Sequence, residues 1–171
     1  STMKNLATDA YSIIQIMRKN DIDSFQVTTG FNDLDHLLGG LHKSDLIILA
    51  ARPSMGKTAL ALSIAKNTAE KQKNAVGFFS LEMTANQLVT RLISSEAEVD
   101  QHKIIKGAIS NEEDSKIVES LGVLSELPIY IDDSPSLSMM ELRAKARRLK
   151  IERDIKIIII DYLQLMNAPK S

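Results

Sequence analysis

Four short apolar runs, at residues 45–50, 75–80, 129–131 and 157–160, alternate with stretches patterned for helix. That alternation admits few folds. Strands that alternate with helices assemble into a mostly parallel sheet whose connections cross over its faces, so helices cover both sides. The runs do not interleave apolar with polar residues, as expected of strands buried on both faces. The helical stretches are predicted at 57–71, from Thr84 towards Ala97, at 101–106, at 112–124 and at 138–153. A shorter one, from Phe31 to Leu38, is closed by Gly39 and Gly40. At 171 residues and 44% apolar content, the chain fills one domain-sized core and leaves little for a second.

In an open parallel sheet, ligands bind beyond the carboxyl ends of the strands, so the residues that follow each run carry the chemistry. The first run delivers Ala51-Arg52-Pro53-Ser54-Met55-Gly56-Lys57-Thr58 and then a helix. A strand, a tight loop ending Gly-Lys-Thr and a helix describe a phosphate cradle. Successive backbone N–H groups and the positive helix end surround phosphates, Lys57 neutralises their charge, and the Thr58 hydroxyl is a magnesium ligand. Gly56 brings no Cβ between backbone and ligand. Ala51 stands where the strict pattern has its first glycine.

The second run delivers Ser80-Leu81-Glu82, the third Asp132-Asp133 and the fourth Asp161. A carboxylate after a buried apolar strand positions the water shell of Mg²⁺ in nucleotide hydrolases. Asp161 fits that description better, but Ile129-Tyr130-Ile131-Asp132 nearly repeats it, so spacing leaves both carboxylates as candidates. Glu82 is the carboxylate best placed to orient or deprotonate an attacking water, and it serves equally well as a solvated glutamate opening the next helix. Gln164, on the exit from the last strand, either senses a γ-phosphate or bonds the loop backbone.

Other classes are disfavoured. Twenty-one basic and 22 acidic residues leave a net charge of −1, so the overall balance predicts neither nucleic-acid nor anionic-membrane binding. Arg143, Lys145, Arg147, Arg148, Lys150 and Arg153 form the most basic stretch, on the solvent side of a helix whose apolar face is Met139, Leu142, Ala146 and Leu149. There is no cysteine, which excludes thiol chemistry and suits a reducing cytoplasm. His36, His42 and His102 are too scattered to suggest a metal site, and no apolar run approaches the roughly 20 residues of a membrane span.

The chain opens on an amphipathic helix, in which Leu6, Ala10, Ile13 and Met17 recur at helical spacing and Ile14 widens the stripe. The polar residues 20–24 then read as a linker. The expected organisation is therefore a linker helix and linker at 1–24 and an α/β domain at 25–171. The helix either folds back on its own domain or docks on another chain.

Taken together, Thr29-Gly30-Phe31-Asn32-Asp33-Leu34-Asp35, Leu38-Gly39-Gly40-Leu41, Ser44-Asp45-Leu46, the loop 51–58, Phe79-Ser80-Leu81-Glu82-Met83 and Asp161-Tyr162-Leu163-Gln164-Leu165-Met166 resemble the RecA-like motor domain of the bacterial replicative DNA helicase DnaB family. The resemblance runs from about Val27 to the last residue, and the final two segments are its most specific. RecA-like ATPases of recombination and signalling share only the first segments. The resemblance implies a RecA-like P-loop NTPase that binds ATP and Mg²⁺, with Lys57 and Thr58 on phosphate and metal, Asp161 as the magnesium carboxylate and Glu82 as the catalytic carboxylate. It further implies translocation on single-stranded DNA by a hexameric ring, with Leu6 to Met17 docking on the neighbouring subunit, and primase and a helicase loader as partners. A motor of this family continues past the Asp161 strand into further strands, DNA-contacting loops and an arginine finger. On that expectation residues 1–171 are an incomplete motor that binds nucleotide weakly and turns it over slowly. The rival expectation is a non-catalytic oligomerisation module derived from such a helicase.

Overall fold

The computed structural model describes residues 2–19 and 27–165. The linker expected at 20–24 and the side chain of Met17 lie outside what it describes. Helix α1 (Met3–Lys19) is followed by α2 (Asn32–Leu38), α3 (Lys57–Lys71), β1 (Val76–Ser80), α4 (Ala85–Ala97), α5 (Gln101–Lys106), α6 (Asn111–Ser125), β2 (Ile129–Asp132), α7 (Met139–Arg153) and β3 (Ile157–Asp161). A 3₁₀ turn at Leu163–Leu165 closes the described chain. The three strands form a parallel sheet in the order β2-β1-β3.

Local chemistry sets the helix boundaries. Thr84, Ser110 and Ser138 each accept a hydrogen bond from the backbone three residues on, while Gln87, Glu113 and Glu141 reach back to the cap residue. Each of these boxes satisfies two of the donors that a helix start leaves orphaned. Gly39 ends α2 in the left-handed region, at φ 69°, where glycine has no steric penalty.

β1 lies at the centre and is buried along its whole length. Val76 and Phe78 face a core built with Ala61, Leu62, Ala65 and Ala69 of α3 and Leu88 and Leu92 of α4. Phe79 faces the other side, where Leu81, Leu137 and Leu142 pack with Leu149 and Ile160. Helices on both faces explain why β1 shows no alternation in sequence. Most basic residues of α7 are exposed as expected, but Lys145 is half-buried and turns to Asp132 and Ser134, and Met139 is 55% exposed and does not join the buried face.

The 45–50 run departs from the sequence expectation: it is not a strand. Leu46 is 82% and Ile48 74% exposed. A strand exists only where a neighbouring edge completes its hydrogen-bond ladder, and among the described residues none pairs with this run. The loop at 51–56 therefore follows an unpaired segment, and the described sheet has three strands, not four.

Ahead of the sheet in sequence, Val27 and Leu41 pair in an isolated antiparallel bridge, and buried Asp35 ties the segment between them. Its Oδ1 accepts from the Thr29 amide at 2.7 Å and the Thr29 hydroxyl at 2.8 Å, and its Oδ2 accepts from the Gly30 amide at 3.1 Å. Asn67 of α3 donates to the Thr29 carbonyl, so the cluster also seats the segment on the core. Asp35→Ala would orphan three donors at a site 1% exposed. The expected cost is about 3 kcal/mol, read as a lower urea midpoint at unchanged m-value.

Helix α1 forms over the expected span, and Leu6, Tyr11, Ile13 and Ile14 are each half or more exposed. No helix among the described residues is long and apolar enough to cross a membrane.

Candidate nucleotide site

The Gly-Lys-Thr segment forms the start of α3. Gly56 is its N-cap at φ 86°, a backbone conformation that L side chains rarely adopt. A Cβ added there would meet nothing within 4 Å. Within the protein, the glycine is therefore favoured by its dihedral angle and not by crowding from neighbouring residues. Residues 51–56 are exposed, with the Met55 amide bonding back to the Arg52 carbonyl at 3.3 Å.

Thr58 and Asp161, 103 positions apart, meet at the C-terminal end of the sheet: the Thr58 hydroxyl donates to Asp161 Oδ2 at 2.7 Å. Lys57 Nζ lies 3.3 Å from Asp161 Oδ1 and 3.9 Å above the centre of the Tyr162 ring. Asp161 is only 3% exposed. A carboxylate in so dry a place needs a charge partner and hydrogen bonds, and Lys57 and Thr58 supply both.

Glu82 reaches the same end of the sheet through the backbone. Ser80 pairs in register with Asp161, and the Leu81 amide donates to the Asp161 carbonyl at 2.8 Å. Glu82 itself is exposed, in the loop between β1 and α4. Gln164 lies in the 3₁₀ turn after Tyr162 and is exposed, and the structure gives it no bond to Lys57, Thr58 or Asp161.

Asp132, the alternative magnesium carboxylate, is otherwise engaged. Lys145 Nζ lies 2.7 Å from its Oδ2, and the Ser134 amide donates to its Oδ1 at 3.0 Å. Burial opposes its charge, but the bonds from Lys145 and Ser134 outweigh that, so its carboxyl titrates below the ordinary range. Lys145 also bonds the Ser134 hydroxyl at 2.8 Å, which makes Asp132 part of a brace between β2 and α7. Asp133 accepts from the Ala85 amide at 2.8 Å, at the start of α4.

Sequence reasoning gave Tyr162 and Ser80 no part beyond a place in the motifs. Tyr162 adjoins Asp161 in sequence, which was the available signal; its ring contact with Lys57 is tertiary. A separate hollow of about 700 Å³, lined by Gly30, Phe31, Asp33, Leu34, Leu60 and Lys71 among others, contains none of the candidate phosphate, magnesium or catalytic residues.

Residues 26–171 match the DnaB-like helicase C-terminal domain. The chain belongs to that family. The replicative DNA helicase DnaB of Geobacillus stearothermophilus is 43% identical over 166 residues, covering 97% of this chain and 37% of its own length. The Synechocystis DnaB is 49% identical over 144 residues, 83% of this chain and 16% of its own length. The chain thus spans between 16% and 37% of the length of these two curated relatives. Among solved structures, the ATPase domain of G40P superposes with a TM-score of 0.89 at 30% identity, over 100% of this chain and 60% of that one. A DnaB-like replicative helicase, described together with its interactions with primase, superposes at 0.79 with 33% identity, over 85% of this chain and 36% of that one. The fold is that of the RecA-like ATPase domain of DnaB-like helicases, as the segments around Glu82 and Asp161 led one to expect.

Proposed function

We propose that this chain is part of the ATP-driven motor of a replicative DNA helicase, which hydrolyses nucleotide to translocate on single-stranded DNA and unwind duplex DNA. The observation that carries the reading is the bond between Thr58 and Asp161 with Lys57 beside it. An isolated Gly-Lys-Thr turn has no reason to meet a buried carboxylate from the end of a distant strand. A nucleotide site needs that meeting.

The donor set fits magnesium. A hydroxyl and a carboxylate 2.7 Å apart are the hard oxygen ligands Mg²⁺ selects, with water and phosphate oxygens completing its shell. Thr58 and Asp161 would hold the ion beside ATP, where it would supply neutralisation of charge developing on the phosphates. In the same reading Lys57 moves from Asp161 to the phosphates, the loop 51–56 offers its amides, Glu82 orients the attacking water, and Gln164 lies near enough in sequence to Asp161 to report on the γ-phosphate. Asp132, already bonded to Lys145, holds β2 against α7.

The organisation proposed is a linker helix with its linker at 1–24 and the RecA-like domain at 25–171. The exposed stripe of α1 is suited to a neighbouring subunit, in keeping with a hexameric ring, and primase and a helicase loader are the further partners. A cytoplasmic location is in keeping with that role.

The test is made on the full-length gene product. Single-stranded DNA is expected to stimulate ATP hydrolysis in the presence of Mg²⁺, and the protein is expected to unwind a forked duplex. Hydrolysis indifferent to DNA, with no unwinding, would instead indicate a RecA-like signalling ATPase. Nucleotide-independent assembly through α1 without hydrolysis would indicate an oligomerisation module.

A further inference from the structure

We infer that Ser80 is a positioning residue for Glu82, locking the loop that carries it against the Asp161 strand. The inference rests on the reading of Glu82 as the group that orients water. Glu82 is exposed, and among the described residues no hydrogen bond or ion pair fixes its side chain; its position is set by how residues 81–84 are held. Ser80 is 1% exposed, and its single hydroxyl bonds twice to Met83, donating to the carbonyl at 2.8 Å and accepting from the amide at 3.2 Å. A three-residue excursion is thereby tied at both ends, with Glu82 between the ties. The Leu81 amide, bonded to the Asp161 carbonyl at 2.8 Å, fixes the same excursion to the strand end that holds Thr58 and Lys57. On the far side the Thr84 capping box and Asp133 at the Ala85 amide anchor the start of α4.

A serine whose only task was to finish β1 would not need both of its hydrogen-bonding capacities spent on one residue three positions on. Removing the hydroxyl frees Met83 while leaving the ladder of β1 and the bond from Leu81 in place. The predicted consequence is a Glu82 that wanders by a fraction of an ångström to an ångström, enough to slow a step that depends on the placement of water. Nucleotide binding, which depends on Lys57, Thr58 and the loop 51–56, is left alone.

The experiment compares wild type, Ser80→Ala, Glu82→Gln and the double variant in the full-length gene product. It measures kcat and KM for Mg·ATP, equilibrium binding of a fluorescent ATP analogue, and hydrogen exchange over residues 81–84. Glu82→Gln is expected to lower kcat about a hundredfold with binding retained. Ser80→Ala is expected to lower kcat about tenfold, with KM and analogue affinity within about twofold of wild type. Exchange at the Met83 amide should quicken, and the double variant should be no slower than Glu82→Gln alone. A wild-type kcat in Glu82→Gln overturns the reading on which the inference rests, and the inference with it. A slowed Glu82→Gln beside a wild-type Ser80→Ala overturns the inference alone. So does a double variant whose losses multiply, or a Ser80→Ala protein that no longer binds the analogue, since either would make the hydroxyl a general structural support. Ser80→Thr, which keeps the hydroxyl, should recover most of the kcat lost in Ser80→Ala; a threonine variant as slow as alanine also counts against the inference.

Discussion

Lys57→Ala is expected to lower kcat/KM for ATP hydrolysis about a thousandfold in the full-length gene product, because a phosphate charge that no ammonium meets costs several kcal/mol in the transition state. The structure adds a second effect, visible with no nucleotide at all. Lys57 is the cation beside Asp161, at 3.3 Å, and Asp161 is 3% exposed. Removing one partner of a buried pair leaves a charge in a poorly solvated place, which costs more than the pair itself contributes. Since the Lys57 side chain is 26% exposed, water screens part of that cost, and a loss of about 1–2 kcal/mol in the nucleotide-free protein is expected. Urea unfolding without nucleotide and equilibrium binding of an ATP analogue separate the two effects. Wild-type turnover by Lys57→Ala would remove the phosphate role; an unshifted unfolding midpoint would show that Asp161 needs no counter-ion.

Much of this architecture was legible in the sequence because it rests on local chemistry. The boundaries of α4, α6 and α7 follow from capping boxes, the end of α2 from a glycine at positive φ, and the burial of β1 on both faces from a run without alternation. The 45–50 run shows where that logic stops. Its composition is that of a buried strand, but composition says nothing about whether a neighbouring edge is present to pair with it, and Leu46 through Leu49 stand exposed.

The site divides in the same way. Gly56, Lys57 and Thr58 stood out as candidates from residue type and order alone. The choice between Asp132 and Asp161 was not, since both end apolar strands. What distinguishes them is tertiary: Lys145, thirteen residues on, bonds Asp132, whereas Thr58, more than a hundred residues back, bonds Asp161. The hydroxyl of Ser80 was equally hidden, because a serine at a strand end looks the same whether it faces water or ties down a loop.

Asp161→Asn should affect the protein in a way opposite in kind to Lys57→Ala. Asparagine keeps the size of the side chain and one oxygen to accept from Thr58, and the backbone carbonyl that receives the Leu81 amide is untouched. The buried negative charge, however, is gone. Replacing a buried charge by a neutral group of the same shape is far less costly than stranding it, so the nucleotide-free variant is expected to unfold within about 1 kcal/mol of wild type. Hydrolysis is nonetheless expected to fall a hundredfold to a thousandfold, since an amide oxygen is a much poorer partner than a carboxylate for a hydrated magnesium ion. The gain in ATP affinity that Mg²⁺ brings should shrink, while affinity in the presence of a chelator stays put. The double variant Lys57→Ala, Asp161→Asn then supplies the decisive comparison. If an uncompensated carboxylate is what destabilises Lys57→Ala, neutralising Asp161 must restore its urea midpoint towards wild type without restoring hydrolysis. A double variant as unstable as Lys57→Ala would place the damage in the lysine stem or the Tyr162 contact at 3.9 Å, and the electrostatic account of the pair would have to be given up.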